Sequence, residues 1–313
     1  MSRRTKLAFA IQKVFDFVKG SHLTREARAA TAERFAAVMM KLGYTHLKKP
    51  EEIKLRHLKE FVSYRKSGGV STRTLQNSMA HLRSVLRNCG RADVADAPES
   101  TNRALGISGG TRIGTKIALT DEELFAVDMR SKKLGRPGMG CLLKLERHLG
   151  LRGNEAIHAR SDTLIRWRGE LEATGTIAVI AGTKGGRSRT VNIKDVANAM
   201  LAINEALLVA HTQRGFLIVR RNGDPAGGLK QAREIYHGWM NRAGVHPHVA
   251  RYAFACMNFG AYCREGYPPR EALILVSRDL GHGSGRGRWI RSVYMRNTAE
   301  ERSIRSKTAD SSE

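Results

Sequence analysis

Six side chains in the second half of the chain could act together on a phosphate: Arg152, Lys184, His248, Arg251, His282 and Tyr294. They stand in the strings LGLRGNEA, GTKGGRSRTV, HPHVARYAFA, DLGHGSG and IRSVYMRN. A phosphodiester under attack gathers negative charge on its equatorial oxygens. Two guanidiniums oppose that charge well, because each is a planar fork of donors that keeps its proton. An ammonium and two imidazoles can grip phosphate and move protons. A phenol, with an ordinary pKa of about 10, can attack phosphorus once a base or a cationic cluster assists it. None of the six is a carboxylate of the kind a magnesium-dependent nuclease uses.

Taken singly, each residue has a plainer explanation. Arg152 alone reads as a surface arginine, although Glu155, three residues on, could brace it. The pair His248 and Arg251 falls one helical turn apart on one face, with Ala250, Ala253 and Ala255 allowing close packing behind it. Such an H-x-x-R string arises readily by chance in a chain with 11 histidines. Lys184 in a glycine-flanked turn could simply be solvated, His282 could cap a helix C-terminus, and Tyr294 could be a buried phenol beside Ile290 and Val293. His246 and His248 form an H-x-H, but no further ligand cluster with suitable spacing accompanies them, so a metal is not expected. No G-x-S-x-G elbow or H-E-x-x-H helix offers another chemistry.

The elements that must hold these groups can be traced from periodicity. Four helical patterns come first. Lys6–Lys19 sets Ala10, Val14, Phe17 and Val18 at helical spacing, and Thr24 can cap a helix running to Leu42, stopped by Gly43. Pro50-Glu51-Glu52 opens a third helix toward Tyr64. Ser71-Thr72 begins a fourth, with Leu75, Met79, Leu82 and Leu86 on one side and Gly90 at its end. These helices form an expected first domain, residues 1–97. From Pro98 to Lys116 the chain is polar and glycine-containing without a helical period, which reads as a linker over 98–116.

Thr120 with Glu123 forms a capping box that starts a second domain, residues 117–297. Met139–Leu149 is an apolar helix, and Leu151-Arg152-Gly153 breaks it before a short helix Asn154–Ala159. Thr176–Ile180 and Thr190–Ile193 are β-rich and joined by the basic turn Lys184-Gly185-Gly186-Arg187, a hairpin signal. Helices follow at Lys194–Leu208, Leu229–Ala243, His248–Arg264, Pro268–Leu280 and Arg288–Asn297, with a polar tail over 298–313. The fold class expected is mainly α with a small antiparallel β-sheet in the second domain, an α+β arrangement.

Composition narrows the partner. The chain of 313 residues carries 54 Lys and Arg against 29 Asp and Glu, a formal charge of +25. That excess suits a polyanion, and it is spread through helices and not gathered in one tail. Arg56, Lys59 and Arg65 belong to this basic set, and Lys66, Arg73, Arg83 and Arg87 are its candidate phosphate contacts in the first domain. Arg187, Arg286 and Arg288 join them in the second. No run of about 18 apolar residues suggests a membrane span, and the N-terminus lacks a secretory signal. Cys89, Cys141, Cys256 and Cys263 are scattered, form no C-x-x-C, and read as buried thiols of a reducing cytosol.

The order of these strings resembles the tyrosine recombinases, the phage integrase family. The match is an arginine in a G-L-R-x-x-E string (Leu151-Arg152 through Glu155), a hairpin lysine in T-K-x-G-x-x-R-x-V (Thr183-Lys184 through Val191), then His248–Arg251, Leu280–His282 and Tyr294. It covers the chain from Leu119 to Asn297, and the helical first half resembles the family's core-binding domain less strictly. The resemblance implies a two-domain clamp around double-stranded DNA, acting as a homo-tetramer on two DNA sites in the cytoplasm, with accessory DNA-bending proteins possible partners. It also implies a mechanism. Tyr294 would form a 3′-phosphotyrosine, Arg152 and Arg251 would bind the non-bridging oxygens, Lys184 would be the general acid, His248 its acid/base partner and His282 a donor to phosphate. Neither ATP nor a metal cofactor is then required. Three departures stand out: Tyr252 follows the second arginine where the family usually has a histidine, the flexible, basic loop Gly283–Gly287 lengthens the gap from His282 to Tyr294, and the tail after Tyr294 is polar where family members often dock an apolar C-terminal segment on a neighbouring subunit. A nicking-closing enzyme like the type IB topoisomerases, and a DNA-binding protein that has lost catalysis, are the alternatives.

Overall fold

In a computed structural model, residues 5–18, 22–110 and 116–295 are described; for His22, Leu23 and Lys184 the backbone alone is described. The chain divides into two units, residues 1–111 and 112–313. In the first, apolar residues at helical spacing turn inward from every long helix. α1 (Lys6–Asp16) is capped by Thr5, whose hydroxyl accepts from the Ala8 amide at 3.1 Å. α2 (His22–Lys41), α3 (Leu55–Ser67), α4 (Thr72–Asn88) and the short α5 (Ala92–Ala95) follow. Ile11, Phe15, Phe35, Met39, Phe61, Leu75, Met79 and Leu82 form their shared core.

Three expectations for this unit need correction. Thr24 does not cap the second helix, because α2 already begins at His22. The helix expected from Pro50 is broken: Pro50–Glu52 is a single 3-10 turn, and Ile53 is extended (φ −71°, ψ 124°) so that its side chain can be fully buried. The segment read as a linker packs in its first part. Leu105 and Ile107 lie in the core, Gln76 Nε2 donates to the Ile107 carbonyl at 2.8 Å, and Ser100 is buried. Residues 111–115 of that segment, like the polar tail over 298–313, lie outside the described residues.

The second unit is built around α7 (Pro137–Leu149), whose Leu142, Leu143, Leu145 and Leu149 are wholly buried. α6 (Asp121–Lys133) packs on it, and its start is a true capping box: Thr120 N donates to Glu123 Oε2 at 2.9 Å and Glu123 N to Thr120 Oγ1 at 3.2 Å. α8 (Gly153–Ala156) leads to α9 (Ser161–Thr174), a helix the sequence reading omitted. β1 (Thr176–Val179) and β2 (Arg189–Asn192) pair antiparallel, with buried Ile177 opposite buried Val191. α10 (Val196–Thr212), α11 (Leu229–Arg242), α12 (His248–Arg264), α13 (Pro269–Asp279) and α14 (Gly287–Tyr294) complete the unit, with α10 and α12 also against α7. The fold is mainly helical with one two-stranded antiparallel sheet.

The loop expected over 283–287 is partly structured. Ser284–Arg286 makes one 3-10 turn, and Ser277 Oγ donates to the Gly283 carbonyl at 2.5 Å. All four cysteines are free, but of these Cys141 alone is buried; Cys89, Cys256 and Cys263 are half-buried. No described helix is long and apolar enough to cross a membrane.

Candidate active site

The site begins where α7 must stop. Gly150 takes a left-handed conformation (φ 62°, ψ 30°), and a Cβ there would sit 2.5 Å from the buried ring of Phe254. Only glycine fits that corner. Arg152 then turns extended and caps α8, its backbone N–H donating to Glu155 Oε2 at 2.7 Å while its Nη1 donates to Glu155 Oε1 at 2.7 Å. Glu155 is buried and also accepts from Arg189 on β2, at 2.5 Å from Nη1 and 2.7 Å from Nη2. Arg251, fully buried on the first turn of α12, brings Nη1 within 3.9 Å of the same carboxylate.

Three guanidiniums thus surround one carboxylate, leaving a local excess of positive charge suited to an anion. Burial works to raise the Glu155 pKa. The Arg189 hydrogen bonds and the charges of Arg189, Arg251 and Arg152 outweigh it and hold the carboxylate down at about 2. Two backbone carbonyls fix the guanidiniums further. Gly150 O accepts from Arg251 Nη1 and from Arg189 Nη2 at 3.3 Å, and Leu280 O accepts from Arg251 Nη2 and from Arg152 Nη2 at 2.9 Å.

Leu280 belongs to the chain that carries His282 into the site. Gly281 (φ 66°) makes the turn, and a Cβ on it would meet Arg189 Cδ at 2.7 Å. His282 N–H donates to the Ser277 carbonyl at 2.8 Å, and the imidazole lies edge-on to Trp289 with ring centres 4.5 Å apart. Tyr294, the last residue of α14, is 3% exposed. Its hydroxyl stands 3.5 Å from His248 Nε2 and 3.5 Å from His282 Nε2. Burial, followed by the charge of Arg251, depresses both imidazoles to about 3, so both are neutral at pH 7 and each keeps a lone pair on one ring nitrogen. Tyr252 packs on the Tyr294 ring at 4.5 Å and on His248 at 5.6 Å, and burial pushes its own phenol up to about 12. It is a packing group and not a base.

Five of the six chemistry-bearing residues, with Glu155, therefore converge. The sixth, Lys184, starts a 3-10 turn (Lys184–Gly186) between β1 and β2. Among the candidate DNA contacts, Lys66, Arg73, Arg187, Arg286 and Arg288 are exposed. Lys66 also donates to the Gly106 carbonyl at 3.1 Å, and Arg87 pairs on the surface with Asp96. Arg83 is different: half-buried, it donates to the Ser100 carbonyl and, at 2.9 Å, to Asn102 Oδ1. Its guanidinium ties α4 to the following segment and is not free to hold a phosphate.

Sequence reading missed Arg189 as a site residue, although it shares the lysine's string and the inward face of β2 with Val191. It also missed Asp279, which is buried and accepts from the Asn192 backbone and side chain, Asn258 and Tyr262 at 2.9–3.2 Å, clamping the end of α13 to β2 and α12. Among the described residues no three His, Cys, Asp or Glu side chains gather as a metal would require.

Comparisons with known proteins bear on the family and the fold. The family model described as Integrase matches residues 106–257, and that described as Phage integrase, N-terminal, matches residues 4–95. No curated protein matches the chain. Among solved structures, the Tn1549 transposon integrase in complex with transposon right end DNA superposes with a TM-score of 0.60 at 15% identity, covering 98% of this chain and 99% of that one. A lambda integrase tetramer bound to a Holliday junction gives 0.52 at 14%, covering 88% and 72%. The XerH site-specific recombinase bound to difH substrate gives 0.50 at 18%, covering 96% and 84%. Identities this low speak for the fold, while the two family matches together span most of the sequence. The chain belongs to the phage integrase family, the tyrosine recombinases, and is an enzyme of site-specific DNA recombination.

Proposed function

We propose that the enzyme cleaves and rejoins DNA through a 3′-phosphotyrosyl link to Tyr294. One observation carries this reading: the Tyr294 hydroxyl lies 3.5 Å from two neutral imidazoles, beside the cluster of Arg152, Arg189 and Arg251. In the forward step the Tyr294 oxygen bonds to phosphorus and its proton passes to His248 Nε2. The bond from phosphorus to the 5′-oxygen breaks, and Lys184 protonates that oxygen as it leaves. Arg152 and Arg251 hold the non-bridging oxygens, and His282 donates its ring N–H to one of them. The guanidiniums supply the charge that a divalent metal supplies elsewhere. A 5′-hydroxyl from a second strand reverses the step, with the bond energy kept in the tyrosyl link, so ATP has no part in the reaction.

Both units contact double-stranded DNA, with Lys66, Arg73, Arg187, Arg286 and Arg288 on its phosphates. Four copies act on two sites in the cytoplasm, on behalf of a mobile element. The lambda integrase tetramer on a Holliday junction supports this assembly. The test is a nicked suicide substrate in EDTA. The wild-type protein forms a covalent adduct with DNA that Tyr294→Phe abolishes. An adduct that survives the substitution, or one that requires magnesium, refutes the mechanism.

A further inference from the structure

The turn that carries Lys184 is held at both ends by consecutive residues of α8, the helix that Arg152 begins. At the start of the turn, Asn154 Nδ2 donates to the Gly182 carbonyl at 2.8 Å. At its end, Arg189 is bound through its guanidinium to Glu155. Gly182 is pressed against α8 in a left-handed conformation (φ 70°), where an added Cβ would lie 2.5 Å from the Asn154 carbonyl oxygen and 2.7 Å from His158 Nδ1. The orientation of the Asn154 amide is fixed from its other side, because Arg233 on α11 donates Nη2 to Asn154 Oδ1 at 2.9 Å. Oxygen faces a guanidinium and nitrogen faces a carbonyl, so each end of the amide has one suitable partner.

From this geometry we infer that Asn154 is a positioning residue for the general acid. It does not reach the phosphate chemistry itself; it sets where the Lys184 turn sits relative to Arg152. This rests on the general-acid role proposed for Lys184. The Glu155–Arg189 staple remains when Asn154 is changed, so the loss is confined to the half of the turn that leads into Lys184. A general acid displaced by about 1 Å loses up to about a hundredfold in rate.

The test compares two DNA substrates in single-turnover cleavage, one with an ordinary phosphodiester and one with a bridging 5′-phosphorothiolate, whose sulfur leaves without a proton. Asn154→Ala should slow cleavage of the ordinary substrate by roughly tenfold or more. On the phosphorothiolate it should run within about twofold of the wild-type rate, with DNA affinity unchanged. Asn154→Asp, which keeps the side-chain shape but sets an oxygen against the Gly182 carbonyl, should behave alike and guards against a folding defect. Equal slowing on both substrates, or no slowing on either, overturns the role of Asn154. Lys184→Ala serves as the reference arm. If the phosphorothiolate fails to rescue it, the general-acid reading itself falls, which is a separate outcome from failure of Asn154 alone.

Discussion

Replacing Glu155 by glutamine tests the electrostatic centre of the site with almost no change in shape. The carboxylate faces Arg152, Arg189 and Arg251, and its pKa falls from the ordinary 4.5 to about 2. At 1.36 kcal/mol per pH unit, that drop corresponds to about 3 kcal/mol favouring the charged form in the folded protein. Glu155→Gln should therefore cost about 3 kcal/mol at neutral pH, in line with the cost of breaking a buried ion pair. The folded pKa is depressed, so the contribution is fully present above pH 4.5 and is lost as pH falls through about 2. At pH 3 the difference should shrink to about 1.4 kcal/mol. Urea unfolding followed by tryptophan fluorescence isolates this unit, because the three tryptophans, Trp167, Trp239 and Trp289, all lie within it. A variant as stable as wild type at pH 7, or a difference that does not change between pH 7 and pH 3, would refute the reasoning.

Other expectations are equally open to measurement. Gly281→Ala meets both a positive φ and Arg189 Cδ at 2.7 Å, and should cost about 2 kcal/mol in urea unfolding together with a slower single-turnover cleavage. His248 and His282 have folded pKa values depressed to about 3 against an ordinary 6.5, so their contribution to stability is complete above pH 6.5 and declines as pH falls toward 3. Melting temperatures across that range should drop more steeply for wild type than for the double variant His248→Asn, His282→Asn, and parallel curves would contradict the assignment. Arg83→Ala should lower the melting temperature while leaving the salt dependence of DNA binding unchanged, whereas Arg73→Ala should reduce the salt slope by about 1 with little effect on melting.

What the sequence made legible was whatever depends on neighbours in the chain. Thr120 and Glu123 meet within one turn, as do His248 and Arg251, and the hairpin around Lys184 is announced by its glycines. The partners of Arg83 and Arg189 are a different matter. Ser100 lies 17 residues from Arg83, and Glu155 lies 34 from Arg189, so no local pattern distinguishes a guanidinium held inside from one that faces DNA. The omitted helix α9 had a readable signal in Leu164, Trp167 and Leu171, but its short apolar stripe is hidden among charged residues. The misread linker shows the opposite failure: polar composition concealed Leu105 and Ile107, whose burial depends on the first unit's core. Likewise, nothing near Asp279 in sequence reveals that Asn192, Asn258 and Tyr262 all converge on it.

The carbonyls of Gly150 and Leu280 have a consequence for selectivity. Because each accepts from two guanidiniums, Arg152, Arg189 and Arg251 cannot swing to follow a phosphate that arrives out of register. Their rotational freedom is surrendered when the chain folds, so docking DNA does not have to order them. On the proposed mechanism this makes the enzyme intolerant in a useful way. A duplex bound a nucleotide askew would present its backbone to arginines that do not move to meet it, and the strand would stay whole.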